Sequence, residues 1–211
     1  MDSLNVAKGI STRFREKRFD SLVAALGLEG SDYRILDVGG KSTFWSGSGF
    51  EDRVTLLNID HRAEQVEPFS WVTADACDLS QYADGEWDVV VSNSVIEHVG
   101  DFKRQKQMAS EVRRVSKMYW VQAPYMHFPL EPHFLFPFFQ YLSEGMKRFV
   151  ARWWPISFPK MQGRDPIFVA DTTRLPTKTE WAELWPDAVF LDEKFAGLTK
   201  SMVAVRVPTE S

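Results

Sequence analysis

Short apolar runs separated by turn residues dominate the first half of the chain. Residues 11–28 carry apolar positions at helical spacing, and residues 33–38 then form a short β-like run. Three similar runs follow, over residues 54–60, 71–75 and 87–93. The last of them is almost continuously apolar, which is typical of a strand buried on both faces. The pattern therefore predicts one helix followed by four strands.

The same alternation continues toward the C-terminus. The elements predicted there are a helix over 101–116, a strand over 118–123, a helix over 181–185, and strands over 188–191 and 202–207. Thr177 and Glu180 have the spacing of a capping box, which marks the start of the second helix. Strands alternating with helices predict an α/β fold with a mostly parallel sheet, and right-handed crossovers place helices on both faces.

Composition narrows the class of protein. The 211 residues are 44% hydrophobic and 26% charged, as in ordinary globular proteins, which excludes a disordered, collagen-like or coiled-coil chain. A net charge of -4 disfavours a globally basic nucleic-acid binder. The single cysteine, Cys77, excludes an intramolecular disulfide. Because no signal-peptide pattern and no long apolar run occurs, we expect a cytoplasmic protein.

One window departs from this ordinary composition. Thirteen of the 29 aromatic residues and six of the 11 prolines lie between Tyr119 and Pro159. The window follows the fifth predicted strand, where the regular alternation stops. We therefore expect a single domain over residues 1–211, with a helical, aromatic-rich insertion over residues 125–170 that serves as a substrate-recognition segment or lid.

Small and acidic residues follow each of the first four strands. They are Asp37, Gly39 and Gly40 after the first strand, Asp60 after the second, Asp75 and Ala76 after the third, and Asn93 after the fourth. Ligands of open α/β sheets bind beyond the carboxyl ends of the strands. Asp60 lies twenty residues after Gly40, the spacing of an acid that accepts ribose hydroxyls. These strand ends predict a nucleoside-binding site.

This set of residues resembles the class I S-adenosylmethionine-dependent methyltransferases, most closely the small-molecule and quinone-type branch. Residues 35–40 are similar to the first motif of that family, and residues 87–99 are similar to its fourth motif and the turn after it. The resemblance covers residues 33–124 and implies that Asp60 holds the ribose and Asp75–Ala76 contact the adenine. It also implies S-adenosylmethionine as cofactor and a Rossmann-like, doubly wound, seven-stranded, mostly parallel sheet with an antiparallel last strand.

The first motif departs from the usual glycine pattern of that family. Lys41 and Thr43 occupy positions after Gly39 where small residues are common. The dinucleotide pattern G-x-G-x-x-G is also absent, because position 41 is Lys and position 44 is Phe, which disfavours a nicotinamide-dependent oxidoreductase.

Histidines are the candidates for activating a methyl acceptor. Methyl transfer from a sulfonium is an in-line displacement, and the protein can remove the acceptor's proton. The candidate catalytic residues are His98, His127, Glu131 and His133, with His98 as the leading base. His61 follows Asp60 and is expected near the adenine.

A metal site is the alternative for two of these histidines. Some relatives place Glu-x-x-Glu-His after the fourth strand and bind a divalent cation with a later histidine. Here Ser94 replaces the first Glu, whereas Glu97 and His98 remain and His133 offers a third ligand. Our expectation is nevertheless that no metal is bound.

Residues 134–158 allow three interpretations, which leave the methyl acceptor undetermined. Apolar positions 142, 146, 149, 150 and 153 fit one helical face with basic residues beside it. The segment is a lid helix, an interfacial helix that contacts a membrane or lipid-linked acceptor, or a stacking surface for RNA. We predict methyl transfer, with oxygen the preferred acceptor atom, to a small-molecule, lipid-linked or glycan acceptor. The alternatives are an RNA methyltransferase and a catalytically silent methyltransferase-like subunit that binds a partner.

Overall fold

The computed structural model describes residues 3–60 and 67–207. The strands are β1 Ile35–Val38, β2 Val54–Asn58, β3 Ser70–Thr73, β4 Trp87–Asn93, β5 Ser116–Pro124, β6 Leu130–Glu131, β7 Phe136–Pro137, β8 Val189–Phe195 and β9 Leu198–Arg206. The helices are α1 Ser3–Leu26, α2 Ser42–Trp45, α3 Phe102–Val115, α4 Glu144–Trp153, α5 Phe158–Met161, α6 Pro166–Thr172 and α7 Lys178–Leu184. None of the described helices is long and apolar enough to cross a bilayer.

Seven strands form one sheet in the order β3-β2-β1-β4-β5-β9-β8. The pairs among β1 to β5 are parallel, and β9 is antiparallel to both β5 and β8. The order reverses between β1 and β4, so the carboxyl ends of these two neighbouring strands flank a crevice. The predicted doubly wound sheet with an antiparallel last strand is confirmed.

Helices cover both faces of the sheet, as the apolar pattern predicts. In β4, Val90 faces a core shared with α3 and α7, whereas Val89 and Val91 face the core shared with α1 and α2. Asp101 caps α3, since its carboxylate accepts the Arg104 N–H at 2.9 Å. Burial on both faces fixes the central strands and therefore the positions of their carboxyl ends.

The C-terminal elements agree closely with those predicted from the sequence. The side chain of Thr177 accepts the Glu180 N–H, and the Glu180 carboxylate accepts the Thr177 N–H, so the predicted capping box is confirmed. The helix starts earlier than predicted, at Lys178, because a capping box places the first helical residue directly after its Thr. Trp181 and Trp185 then enter the core beside α3.

The segment between β5 and α7 has regular elements that the sequence pattern does not show. A two-stranded ribbon, β6–β7, is followed by α4, α5 and α6. These elements form a small core of their own, composed of Phe134, Phe139, Ala151, Val169 and Ala170. The predicted helix is present as α4, although its apolar face divides, because small Ala151 is the residue that packs inward.

Candidate functional site

The turn after β1 has space only for glycine. Gly39 has a φ of 75°, and its N–H donates to the Leu57 carbonyl at 2.7 Å. A Cβ at position 39 would lie 2.4 Å from Val95 Cγ2, and a Cβ at Gly40 would lie 2.0 Å from an Asp37 oxygen. The backbone of this turn is therefore left bare at the edge of the crevice, where a ligand can approach it closely.

Asp37 is a buried acid with one oxygen unpaired. Its side chain is 1% exposed, and the Trp45 indole N–H donates to Oδ2 at 2.7 Å. Oδ1 is buried and has no hydrogen-bond partner. Burial raises the pKa of Asp37 to about 7, against the smaller lowering effect of the Trp45 hydrogen bond. The carboxyl group can therefore accept a positively charged or hydrogen-bonding ligand group at Oδ1.

Two other strand-end residues are held by arginines. Arg104 pairs with Asp75 at 2.7 Å, while the Cys77 N–H donates to the other oxygen of the same carboxylate at 2.9 Å. Arg18 donates to the side-chain oxygen of Asn93 at 2.7 Å. Both residues line the crevice, as predicted, but much of their hydrogen-bonding capacity is used within the protein.

The acid predicted to bind ribose lies at the rim. Asp60 is exposed and comes two residues after β2 ends, while the neighbouring Ile59 lines the crevice and is 75% exposed. His61, expected near the adenine, lies outside the described residues. Ribose binding by Asp60 stays a prediction.

One cavity of about 670 Å³ is lined by both groups of candidate residues. The first group is the glycine turn with Asp37, Asp75 and Ala76. The second is Glu97, His98 and His133, together with Phe158, Gln162 and Arg164 from the segment after β5. This volume is within the usual range of small-molecule sites, about 300–1,000 Å³.

Three of the predicted catalytic residues form a continuous chain. Glu131 is buried at the end of β6, and its Oε1 lies 2.6 Å from His133 Nδ1. His133 Nε2 lies 3.2 Å from His98 Nε2, and His98 Nδ1 lies 3.3 Å from the Thr173 hydroxyl. His98 ends the turn after β4, whereas Glu131 and His133 come from the first loop after β5. His98 and His133, 35 positions apart along the chain, therefore meet in the cavity wall.

The two imidazoles differ in charge preference. Burial, reinforced by the neighbouring positive charges of His133 and Arg164, lowers the pKa of His98 to about 3. Burial also acts to lower the pKa of His133, but the charge and hydrogen bond of Glu131 outweigh it, and the net pKa is raised. His98 is therefore neutral at pH 7, with a lone pair available on one ring nitrogen.

Glu97 lies beside this pair. It is 0% exposed, and neither carboxylate oxygen has a hydrogen-bond partner. Burial is the main cause that raises its pKa to about 7. One ligand atom from each of Glu97, His98 and His133 can be chosen so that all three lie within 4.8 Å of one another. The structure thus assembles the residues of the metal alternative.

His127 does not reach this cluster. Its exposed ring stacks on Tyr141, with centroids 6.0 Å apart, and its Nδ1 is hydrogen-bonded to the Tyr141 hydroxyl. The grouping of His127 with the other candidates is therefore not supported. The loop turns between residues 127 and 133, which separates the two histidines. Arg164, in contrast, was not predicted, because nothing in the local sequence shows that its loop returns to the cavity.

The sheet has the Rossmann-like methyltransferase fold. This fold and a family match over part of the chain support an enzyme that transfers a methyl group from S-adenosylmethionine. Residues 48–118 match the family described as a methyltransferase domain. The matched part runs from the loop before β2 into β5, so the glycine turn precedes it. The narrower quinone-type branch is not confirmed. Among curated proteins, no sequence matches this chain.

Solved structures share the fold at low identity. Magnesium protoporphyrin IX methyltransferase from Synechocystis PCC 6803, with bound SAH, is 13% identical with a TM-score of 0.57, covering 98% of this chain and 89% of that chain. A putative methyltransferase of Haloferax volcanii, in complex with the Trm112 methyltransferase activator, is 11% identical with a TM-score of 0.52, covering 97% of each chain. These similarities show the fold alone.

The residues at the glycine turn fit the cofactor. Its sulfonium and amino groups carry positive charge, and Asp37 offers an unpaired buried oxygen beside a turn that excludes side chains. Lys41, which departs from the motif, is exposed and precedes the first residue of α2, without a side-chain hydrogen bond to the helix end, so the departure leaves the backbone of Gly39 and Gly40 open. When bound, the cofactor would supply the electrophilic methyl group, and Asp37 is the residue that would orient and neutralise its positive end.

Proposed function

We propose that this methyltransferase methylates a hydroxyl oxygen of an amphipathic, lipid-linked acceptor that it takes from an anionic membrane surface. The observation that supports the proposal most directly is that the glycine turn and the imidazole pair line one cavity. A cofactor at the glycine turn and an acceptor at the imidazole pair would therefore share that cavity. In-line displacement requires the methyl group and the acceptor to be held close together.

The imidazole end suits an oxygen acceptor. A hydroxyl must lose its proton as the methyl group arrives. His98 is uncharged near pH 7, so the imidazole pair can orient the hydroxyl by hydrogen bonding while the proton passes to solvent water. His98 is held by Thr173 on one nitrogen and faces His133 with the other. Glu131 in turn fixes His133 at 2.6 Å. The side chains fixed by these contacts would orient the acceptor hydroxyl while the backbone stays in place.

The outer surface of α4 supports the lipid part of the proposal. Met146, Phe149 and Trp153 recur at helical spacing and are 55%, 65% and 66% exposed. Arg148 and Arg152 are exposed on the adjoining side of the same helix. An amphipathic helix with aromatic residues beside basic ones is typical of peripheral contact with anionic lipid.

This surface is connected to the cavity through packing. Ala151, on the inner side of α4, is buried against Phe134 and Val169. Phe134 directly follows His133, and Val169 lines the cavity. A helix lying on a membrane would therefore hold the acceptor end of the cavity close to the lipid headgroups.

The chemical part of the proposal is tested with methyl-labelled cofactor. Lipid-linked, glycan, quinone-like and RNA fractions are incubated with the protein, and we expect label in an alkali-stable ether of the lipid-linked fraction. His98→Asn should lose at least about tenfold of this turnover while still binding S-adenosylhomocysteine. His127→Asn, outside the cluster, is the matched control and should keep full turnover. Labelling confined to RNA, or an unaffected His98→Asn variant, would contradict the proposal.

The membrane part is tested by vesicle co-sedimentation. The protein should bind vesicles that contain phosphatidylglycerol and bind pure phosphatidylcholine weakly. Replacing Phe149 and Trp153 by Ser removes two aromatic side chains from the interface and should weaken binding at least about tenfold. Phe190→Ser changes an exposed phenylalanine on β8 instead and should have no effect. Equal sedimentation of both variants would refute an interfacial role for α4.

A further inference from the structure

Three potential ligand atoms converge at the acceptor end of the cavity. They belong to Glu97, His98 and His133, and all lie within 4.8 Å of one another. The first two come from the turn after β4 and the third from the loop after β6. All three residues line the cavity. The cluster therefore sits on a buried wall that a small ligand can reach.

Both histidines are oriented as metal-binding histidines are. In each ring Nδ1 is held by a neighbour, Glu131 at 2.6 Å for His133 and Thr173 at 3.3 Å for His98. This leaves the two Nε2 atoms facing a common point. Metal-ligating histidines characteristically have the second ring nitrogen fixed by a carboxylate or another polar group.

The spacing of the two nitrogens fits one ion. Two imidazole nitrogens that each lie about 2.1 Å from an ion, at about 90–110° to each other, are about 3.0–3.4 Å apart. The Nε2 atoms of His98 and His133 are 3.2 Å apart. A direct N–H···N hydrogen bond would also fit this distance, so the third residue is decisive.

No side-chain hydrogen bond explains the burial of Glu97. Its side chain is 0% exposed, and both oxygens are buried without a hydrogen bond, although the charges of His133 and Arg18 attract the carboxylate. Burying a carboxyl group without a hydrogen bond is unfavourable. A cation beside Glu97 would remove that cost.

We propose that Glu97, His98 and His133 bind one divalent first-row transition-metal cation, such as Zn²⁺ or Mn²⁺. Two imidazoles and one carboxylate are the donor set of a facial site, which leaves further coordination positions open. Since the three residues line the cavity, an acceptor in the cavity could reach such positions. The charge of Arg164 acts on both histidines, so the three ligands would have to bind the ion against this repulsion.

The catalytic role of the ion rests on the proposed methyl transfer to an oxygen. A divalent cation lowers the pKa of a hydroxyl placed beside it, so the acceptor oxygen would be a better nucleophile near pH 7. The hydroxyl proton would then pass to solvent water, and the two histidines would act as ligands of the ion. Glu131 becomes a positioning residue for His133. This inference departs from the expectation, drawn from the sequence, that no metal is bound.

The test measures metal binding directly. Untagged full-length protein is stripped with EDTA and titrated with ZnCl₂ or MnCl₂ in a calorimeter, with bound metal counted by mass spectrometry. We expect one ion per chain. Glu97→Gln, which keeps the shape of the side chain, should weaken binding at least tenfold. Glu131→Gln should weaken it by about 10–100-fold. His127→Asn is the control that should bind as the parent does.

The outcomes separate the metal site from the methyltransferase activity. Thermal unfolding and S-adenosylhomocysteine binding are measured on every variant, so a loss of metal in a folded, cofactor-binding Glu97→Gln protein supports the site. Failure of the parent to bind either ion, or equal binding by Glu97→Gln, overturns the inference. Full turnover of the EDTA-stripped protein would do so too, while leaving the methyltransferase assignment intact.

Discussion

Asp37 makes the stability of the protein depend on pH in an unusual direction. Its folded-state pKa of about 7 lies well above the value of 3.8 that it has when unfolded. The stability that the neutral form contributes is fully present below pH 3.8. It falls as the unfolded chain ionises and is completely lost once the pH has risen through about 7. Asn at this position cannot ionise, so Asp37→Asn should remove this loss.

The expected size follows from the two pKa values. The range from pH 5 to about 7 covers about two pH units, each equivalent to about 1.4 kcal/mol of unfolding free energy. Asp37→Asn should therefore gain about 3 kcal/mol relative to the parent protein between pH 5 and pH 8. The amide oxygen can still accept the Trp45 indole N–H, so packing around position 37 is preserved.

Urea unfolding at pH 5, 6, 7 and 8, without cofactor, measures this difference. Asp88→Asn is the matched control. The hydrogen bond from Lys117 leads the causes that lower the pKa of Asp88, so this acid is ionised in both states throughout the range and its replacement should give a constant offset. If Asp37→Asn also gave a constant offset, the buried carboxyl would already be ionised in the folded protein, and our reasoning about its environment would be refuted.

Three further predictions concern other parts of the structure. Gly40→Ala should abolish S-adenosylhomocysteine binding in calorimetry, because the new Cβ would lie 2.0 Å from an Asp37 oxygen. Gly145→Ala is the control, because no atom lies within 4 Å of the new Cβ. This variant should bind normally and be more stable by up to about 1 kcal/mol. Thr177→Ala should lower the unfolding free energy by about 0.5–2 kcal/mol through loss of the capping box, whereas Thr177→Ser should not. Met108→Ala should cost about 2–5 kcal/mol, because Met108 is 0% exposed in the core.

The sheet could be predicted because each strand carries its own pattern. The valines of β4 are buried on both faces, and a continuous apolar run records that environment directly. The glycine turn could also be predicted, because a tight turn after a strand favours glycine and Asp37, three residues before Gly40, leaves no space for a side chain there. The contact of Gly39 with Val95, in contrast, is distant in sequence. Local constraints of this kind are visible in one sequence.

The segment after β5 could not be predicted in the same way. Its core is formed by residues of α4 and α6 together with Phe134 and Phe139, and these stretches are too short to show a period. The apolar positions of α4 predicted one apolar face, buried only if the segment is a lid helix, and Phe149 and Trp153 are exposed whereas Ala151 is buried. The side of α4 that packs inward depends on its contact with α6. Because α5 lies between the two helices in the chain, no local pattern shows this contact. The meeting of His98 with His133, and the separation of His127 from both, depend on the same long-range packing.

Two buried acids, Asp37 and Glu97, line the cavity of the candidate site. Asp37 and Glu97 are the acidic residues with a buried, unpartnered oxygen among the side chains that the structure describes. A protein gains nothing in stability from such groups, because burial without a partner is unfavourable. Each would instead be complementary to a positive charge that arrives from outside, the cofactor at Asp37 and the proposed cation at Glu97. Binding both would bring the electrophilic methyl group and the activated oxygen into one cavity and would offset the cost of burying the two acids.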